Sequence, residues 1–384
     1  MVTLLILVGL NMRTGLTIVP PVLSNIQHSL NLPGWFLGSL TTIPLLCFTA
    51  VSPFVDRLRQ KFGLIRILSI ALLVLAAGFF IRVYSFELLL LGTLLVGAGI
   101  AVLNVLAPAI VSTFFPNKIG VMTSVYSLSM TIFSAVSAGI SAPVASQIGW
   151  QTMFQVLVFF PILTGLVALA TKRYQAAAPK TAQATTTEVP NANVWKQKTS
   201  WFMTGYMGIQ SLLFYTILTW LPQILVDHGL SQNTSSLLLG VMQLAAVPMS
   251  YLIPIIAGHR QRQAPLMLMT GLLFLIGLGS LLIPGTSIGL GIFSCIFLGF
   301  ATNSGFNMSM ILFSLKSRNL SETVAVSGMA QSMGYLIAAV GPIAASMLYS
   351  QWHSWGFIIG LLMVMALLML SFGLLLDRHQ YFFE

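Results

Sequence analysis

Long apolar stretches that carry almost no charge dominate this sequence. Hydrophobic residues make up 57% of its 384 residues and charged residues only 6%, whereas a soluble domain carries about 25% charged residues. A helix needs about 20 mostly apolar residues to cross the hydrocarbon core of a bilayer. The sequence therefore predicts an all-α membrane protein with twelve transmembrane helices, at residues 2–26, 34–55, 64–82, 88–113, 119–144, 151–171, 202–226, 234–257, 265–283, 288–314, 323–348 and 356–376.

The basic residues lie almost all on one side of these predicted helices. Fifteen of the 17 lysines and arginines fall on that side, whereas Arg82 lies on the other side and Arg13 lies inside the first helix. Cytoplasmic loops carry such an excess of Lys and Arg. We therefore predict a multi-pass protein of a bacterial cytoplasmic membrane, with both termini in the cytoplasm. The net charge of +10 then orients the chain in the lipid bilayer, and we expect no nucleic-acid partner.

Residues that could perform covalent chemistry are few. Cys47 and Cys295 both fall within predicted helices, have no nearby histidine and show no spacing typical of a metal site. The acids form no pair at membrane depth, and the sequence contains no G-x-x-x-x-G-K-[ST] loop. Because a membrane enzyme needs a cluster of catalytic groups, we predict neither an enzyme nor an ATP-driven pump, and neither a cofactor nor a metal.

The two halves of the chain resemble each other. A polar, Ala/Thr-rich segment at 172–200 follows six predicted helices and precedes six more, which predicts an N-terminal bundle at 1–171, a cytoplasmic linker and a C-terminal bundle at 201–384. Shifts of 201 residues, and of 199 for the last pair, align Pro21 with Pro222, Pro53 with Pro254, Arg59 with Arg260 and Pro143 with Pro342. Parallel six-helix repeats of this kind are the architecture of major facilitator transporters. The alternative is that the prolines align by chance.

Polar residues inside the predicted helices are restricted to certain helices. The third, sixth, ninth and twelfth contain almost none, which favours a bundle whose other helices surround a polar cavity, since polar groups are costly in lipid. Asn303 and Asn307 lie four residues apart and share one helix face, as do Gln331 and Tyr335. For any single amide, the alternative is a helix-to-helix hydrogen bond worth about 0.6 kcal/mol. We expect substrate to be bound by Asn11, Arg13, Asn104, Gln210, Tyr215, Gln243, Asn303, Asn307, Gln331 and Tyr335; Tyr126 and Tyr251 lie in the same set of helices.

Arg13 lies near the middle of the first predicted helix. An arginine there costs about 2.5–3.5 kcal/mol on insertion scales, and all seven acids lie in loops or at helix ends. We therefore expect Arg13 to face the cavity and meet a small anionic or strongly dipolar substrate. Coupling through a membrane carboxylate is disfavoured, whereas uniport, exchange and co-transport of a proton with the substrate stay open. The alternative is that Arg13 only braces helices through carbonyl and amide oxygens.

Several residues suggest conformational change. Glycines and prolines within helices allow close approach and kinks, although static packing would use them equally. The segment "DRLRQKFG" that begins at Asp56 is predicted to be a loop, and it resembles the G-x-x-x-D-R-x-G-R-R loop between helices 2 and 3 of the major facilitator superfamily. Ser52 and Arg59 replace the two glycines of that pattern. The predicted gating residues are Asp56, Arg57, Gly97, Gly99, Pro143 and Pro342.

Five segments together resemble the cyanate permease and 2-nitroimidazole transporter family of that superfamily. They are "LNMRTGLTIVPPVL", "LTTIPLLCF", "GTLLVGAGIAVLNVLAPAIV", "GIQSLLFYTILTWLPQIL" and "SGMAQSMGYLIAAVGP". The resemblance implies a permease for a small anion or small polar organic solute, and we expect it to work as a monomer by alternating access. The alternative function is a multidrug or metabolite exporter of the same fold for neutral solutes.

Overall fold

The computed structural model describes residues 1–115, 118–171, 194–283, 285, 287–318 and 320–383. In these residues the regular secondary structure is helical throughout. The first half contains α1 Val2–Thr17, α2 Leu23–Leu30, α3 Ser39–Phe62, α4 Leu64–Ile81, α5 Phe86–Phe114, α6 Ile119–Ile148, α7 Trp150–Val156 and α8 Phe159–Ala170. The second half contains α9 Lys198–Asp227, α10 Gln232–Gly258, α11 Ala264–Ser280, α12 Ile288–Leu315, α13 Leu320–Trp352 and α14 Trp355–Asp377. Short 3₁₀ helices lie at Pro20–Val22, Gly34–Phe36 and Val194–Lys196.

The described helices are long and apolar enough for a multi-pass membrane protein. Eleven segments of the described residues have the length and composition of a membrane span. A twelfth apolar helix, α11, has 17 residues, which is the lower end of the usual range for a spanning helix. The all-α fold class predicted from the apolar stretches is confirmed.

The first span is discontinuous. It runs over Val2–Leu30, but α1 ends at Thr17 and a 3₁₀ turn at Pro20–Val22 separates it from α2. Two consecutive prolines cause the break, because proline lacks the backbone N–H of the helical ladder and its ring clashes with the preceding turn. Asn31, in the left-handed conformation with φ 49°, ends α2.

Two predicted boundaries are wrong. The segment from Asp56, predicted to be a loop, forms the last two turns of α3, and the chain turns only at Gly63, whose φ is 86°. Only glycine adopts that left-handed backbone readily, so the helix continues until it is reached. The predicted linker is also shorter at its C-terminal end, because Val194–Lys196 is a 3₁₀ helix and α9 begins at Lys198. Residues 172–193 of the linker lie outside the described part of the chain.

The chain divides into two compact units, Met1–Ala184 and Thr185–Glu384. The aligned prolines occupy matching helices of the two units: Pro53 and Pro254 lie inside the second span of each, in α3 and α10. Pro143 and Pro342 lie inside the fifth, in α6 and α13. The structural positions of these prolines therefore agree with the register of the internal repeat.

Candidate functional site

Arg13 differs from every residue around it in accessibility. From Val8 to Leu23 each residue is buried except Arg13, which is half-buried. Its neighbours Met12 and Thr14 are 5% and 7% exposed. Arg13 lies four residues before the end of α1, and its carbonyl oxygen accepts a hydrogen bond of 3.2 Å from the Thr17 hydroxyl. The first span thus exposes one side chain along this stretch, and that side chain carries a permanent positive charge.

The described acids lie at helix ends and bind groups close to them. Glu87 accepts from the Ser85 hydroxyl at 2.8 Å, and Glu322 accepts from the Arg318 backbone N–H at 2.8 Å. Asp377 accepts from the backbone N–H groups of Gln263 and Ala264 at the start of α11. Asp227 accepts three side-chain hydrogen bonds at the end of α9. These four carboxylates are therefore placed as helix-end groups, as the sequence predicts.

Asn11 points away from the accessible side of α1. Its side chain is 2% exposed, and its Nδ2 donates to the Leu7 carbonyl and to the Thr164 hydroxyl, both at 2.8 Å. Thr164 lies on α8, part of the sixth span. Residues two apart on a helix do not face the same way, so Asn11 and Arg13 cannot share one surface. The amide of Asn11 joins α1 to α8, which is the helix-bracing alternative.

Two other candidates of the N-terminal unit are accessible. Asn104 on α5 and Tyr126 on α6 are both half-buried. With the residues that the structure describes, the Asn104 side chain makes no hydrogen bond. Arg13, Asn104 and Tyr126 are therefore accessible, whereas Asn11 is not.

In the C-terminal unit, Asn303 and Asn307 form one network on α12. Asn307 Nδ2 donates to Asn303 Oδ1 at 2.7 Å and to the Asn303 carbonyl at 2.9 Å. Asn303 Nδ2 donates to the Ala246 carbonyl and, at 2.6 Å, to the Ser250 hydroxyl, both on α10. Both asparagines are half-buried. The prediction that their spacing places them on one helix face is confirmed, and the pair links α12 to α10.

Gln210 is enclosed between helices. It is 2% exposed, its Nε2 donates to the Thr302 carbonyl on α12 at 3.1 Å, and its Oε1 accepts from the Ser211 hydroxyl. A Cβ added at Gly305 would lie 2.6 Å from Gln210 Cγ, so α9 and α12 approach closely there. The amide of Gln210 holds two helices together.

The remaining predicted residues divide between buried and accessible positions. Gln243 and Tyr215 are 4% and 6% exposed, whereas Gln331 and Tyr335 on α13 are half-buried. Gln331 makes no hydrogen bond with the part of the chain that the structure describes. The accessible members of the predicted set are therefore Arg13, Asn104, Asn303, Asn307, Gln331 and Tyr335.

The sequence profile of the Major Facilitator Superfamily matches residues 5–339. The chain belongs to this superfamily. It is 35% identical to the uncharacterized transporter YycB of Bacillus subtilis (strain 168), over all of this chain and 95% of that one. It is 31% identical to the 2-nitroimidazole transporter of Escherichia coli (strain K12), over 98% and 95% of the two chains.

Two further similarities are weaker in sequence. The cyanate transport protein CynX of Escherichia coli (strain K12) is 27% identical over 70% of this chain and 69% of its own. The crystal structure of a bacterial homologue of the human lysosomal transporter Spinster, inward-facing and unoccupied, superposes with a TM-score of 0.80 at 14% identity, covering 98% and 96% of the two chains. This member of the superfamily is therefore a transporter and not an enzyme.

The predicted gating residues of this major facilitator transporter occupy several environments. Arg57 is exposed near the end of α3, and the side chain of Asp56 lies outside the described part of the structure. A Cβ added at Gly97 would lie 2.7 Å from Pro44 Cα, and one at Gly99 would lie 3.0 Å from Leu75 Cβ. These two glycines allow α5 to pack closely on α3 and α4. The carbonyl of Pro342 accepts a 3.0 Å hydrogen bond from Trp220 Nε1.

Some participants could not be found from the sequence. Thr164 and Ser250, which bind Asn11 and Asn303, carry small hydroxyl side chains that occur throughout the helices. No sequence pattern marks these two hydroxyls as partners, because each contact depends on how two helices distant in the chain are rotated. Tyr251, which was one of the polar residues of the eighth predicted helix, is 73% exposed and belongs to neither network.

Proposed function

We propose that this transporter moves a small anion or a small, strongly dipolar organic solute by alternating access, and that Arg13 binds it. The observation that carries the proposal is the accessibility of Arg13 alone among the residues from Val8 to Leu23. A permanent charge near the middle of a membrane span has a high cost unless it faces protein or water. An anionic solute would lower that cost each time it binds.

The chemistry of arginine supports this class of solute. Its planar guanidinium presents five donors in a fixed fork, which suits two oxygens or nitrogens of one compact group. Two relatives are named for transport of 2-nitroimidazole and of cyanate. Cyanate is a small anion, and a nitro group carries partial negative charge on two oxygens, so both offer acceptors of this kind.

The accessible amides supply the remaining recognition. Gln331 on α13 and the Asn303–Asn307 pair on α12 are half-buried, and amides offer both donors and acceptors. We propose that they complete the binding site with Asn104 and Tyr335. Asn11, Gln210 and Gln243 are assigned to helix packing because their side chains are buried.

The proposal also includes the arrangement in the membrane. The two six-helix bundles, 1–171 and 201–384, would work as a monomer in a bacterial cytoplasmic membrane, with both termini in the cytoplasm because the basic residues favour that side. The described acids lie at helix ends, so a carboxylate relay at membrane depth is not part of the mechanism.

Flux through reconstituted liposomes tests the proposal. We expect saturable, ATP-independent uptake of labelled cyanate or 2-nitroimidazole by the wild type, and a loss of about 10- to 100-fold in Arg13→Gln, the range for a hydrogen bond to a charged group. Arg66→Gln is the matched control, because Arg66 is exposed near the start of α4 and the change in charge is the same. Equal uptake by Arg13→Gln and Arg66→Gln would contradict the role of Arg13 and favour the exporter of neutral solutes.

A further inference from the structure

Arg82 is a buried charge with unused hydrogen-bond donors. It follows the last residue of α4, Ile81, and its side chain is only 2% exposed. Its Nε and Nη2 atoms are both buried and find no hydrogen-bond partner among the described residues. Buried polar groups in folded proteins are almost always paired, so two unpaired donors on one buried cation need an explanation, and a bound ion is one.

The aromatic contacts of Arg82 do not provide hydrogen-bond acceptors for these donors. The guanidinium lies 3.8 Å from the ring centroid of Phe154 and 5.4 Å from that of Phe79. Such contacts use the flat face of the cation, whereas its N–H bonds lie in the plane. A Cβ at Gly92 would collide with the Cβ of Arg82. The surrounding helices therefore fix the stem and the face of the side chain, whereas the buried donors on its edge have no partner among the described residues.

The two unused donors lie on the same edge of the guanidinium. The N–H bonds of Nε and Nη2 run parallel in the planar fork, which matches two oxygens of one carboxylate or phosphate. The acid nearest in sequence, Glu87, is exposed and accepts from the Ser85 hydroxyl at 2.8 Å. Among the described residues Arg82 has no ion pair. An anion from outside the described residues would satisfy both donors.

Arg82 lies where the membrane span ends. One apolar span ends at Ile81, the next begins at Phe86, and a third begins at Trp150, four residues before Phe154. Exposed aromatic side chains lie next to Arg82 in the chain: Phe80 and Tyr84 are 50% and 55% exposed. Aromatic residues concentrate at the boundary between lipid and water. Arg82 is thus at the depth of the phospholipid headgroups, on the side opposite to the basic loops.

We propose that the Nε–Nη2 edge of Arg82 anchors a phosphate-binding site at this end of the N-terminal unit. The ligand is a phosphate oxyanion, supplied by the headgroup of a membrane phospholipid or by free phosphate. The site is separate from Arg13, which lies inside the first span. It does not depend on the proposed function of Arg13, and the experiment below distinguishes the two arginines.

Thermal stability of the delipidated protein in detergent tests the site. Three probes are compared: phosphatidylglycerol, a diacylglycerol with the same acyl chains but no phosphate, and inorganic phosphate. We expect phosphatidylglycerol at saturating concentration to raise Tm by about 3 °C or more in the wild type, in Arg66→Gln and in Arg13→Gln. The rise should vanish in Arg82→Gln, and diacylglycerol should not produce it.

The probes also identify the source of the phosphate. A response to phosphatidylglycerol alone supports a lipid headgroup, whereas an equal response to inorganic phosphate supports a site for the free anion. The proposal is overturned if no phosphate-bearing probe stabilises the wild type, or if Arg82→Gln responds as the wild type does. If Arg82→Gln does not fold, Arg82→Lys replaces it, because lysine keeps the charge but lacks the planar pair of donors. The rise in Tm with phosphatidylglycerol should then be at most half that of the wild type. An undiminished rise in Arg82→Lys overturns the proposal.

Discussion

The first spans of the two units occupy equivalent positions in the internal repeat but differ in structure. The N-terminal one is interrupted at Pro20–Val22 and exposes Arg13. The C-terminal one, α9, runs for 30 residues without a break, although it contains Pro222. The position aligned with Arg13 is Phe214, which is 7% exposed and packs edge-to-face on Tyr215 at 4.9 Å. The N-terminal first span therefore exposes a charged side chain, whereas the aligned side chain of α9 is apolar and buried.

Side-chain hydrogen bonds stabilise the C-terminal half of α9, which contains Pro222. Trp220 Nε1 donates to the Pro342 carbonyl at 3.0 Å, and the hydroxyls of Thr216 and Thr219 donate to carbonyls one turn earlier at 2.7 Å. At its end, Asp227 is bound by side chains of α13 and α14. The comparison teaches that matching first spans can differ in the groups they present, since the N-terminal one exposes Arg13 and the aligned position of α9 is a buried phenylalanine.

The largest effect on folding should come from placing a charge at the buried position of α9 that aligns with Arg13. Phe214→Arg would bury a guanidinium at a position of α9 that is 7% exposed, at a cost of about 3 kcal/mol or more. We expect loss of monodisperse protein in fluorescence-detected size-exclusion chromatography. The matched variant Arg13→Phe should fold, because it removes a charge instead of adding one. Equal yields of folded protein from both variants would show that the two spans are interchangeable.

A second effect concerns the C-terminal end of α9. Asp227 Oδ2 accepts from Tyr349 Oη and from Trp355 Nε1, both at 2.6 Å. Asp227→Asn weakens these charge-assisted bonds, and we expect the free energy of unfolding to fall by about 1–3 kcal/mol. A thermal-unfolding series measures this. Glu87→Gln is the control, since the Glu87 side chain accepts from the nearby Ser85 hydroxyl and bridges no helices in the described structure. If Glu87→Gln lowered Tm as much as Asp227→Asn does, the result would contradict this prediction.

A smaller effect should separate packed amides from accessible ones. Gln210→Ala removes a bond to the Thr302 carbonyl and should lower Tm while leaving KM within about twofold of the wild type. Gln331→Ala should leave Tm unchanged and raise KM by about 2- to 10-fold, the equivalent of one neutral hydrogen bond. Flux and thermal unfolding of both variants measure the difference. The reverse pattern would assign Gln210 to the solute and Gln331 to packing.

The sequence predicts the positions of the apolar spans well and helix rotation poorly. Length and apolar composition are enough to locate spans, because the bilayer itself requires about 20 such residues. Asn11 and Gln210 show the limit, since both lie at the predicted depth but turn towards α8 and α12. That rotation depends on partners more than 90 residues away in the chain. The turn at Gly63 was misplaced because polar residues continue α3 beyond the apolar stretch.

Arg13 and Arg82 show the same limit for charge. Arg13 could be expected to be accessible because no acid shares its depth. The sequence places Arg82 at the end of the third predicted helix and gives no sign of its burial, yet its side chain is 2% exposed. Its burial depends on Phe154, a residue of a distant helix that stacks on the guanidinium. A charge pattern therefore predicts topology, whereas the environment of each charge depends on tertiary contacts.

The most direct test of the central claim is equilibrium binding of labelled cyanate to purified protein in detergent, with wild type, Arg13→Gln and Arg66→Gln measured side by side. The account predicts saturable binding by the wild type and Arg66→Gln and a Kd raised by about 10- to 100-fold in Arg13→Gln, with unchanged Tm in the absence of ligand. Nitroimidazole competes for the same site if its nitro oxygens use the same fork. Binding by Arg13→Gln with the Kd of the wild type would contradict the claim that Arg13 recognises the solute.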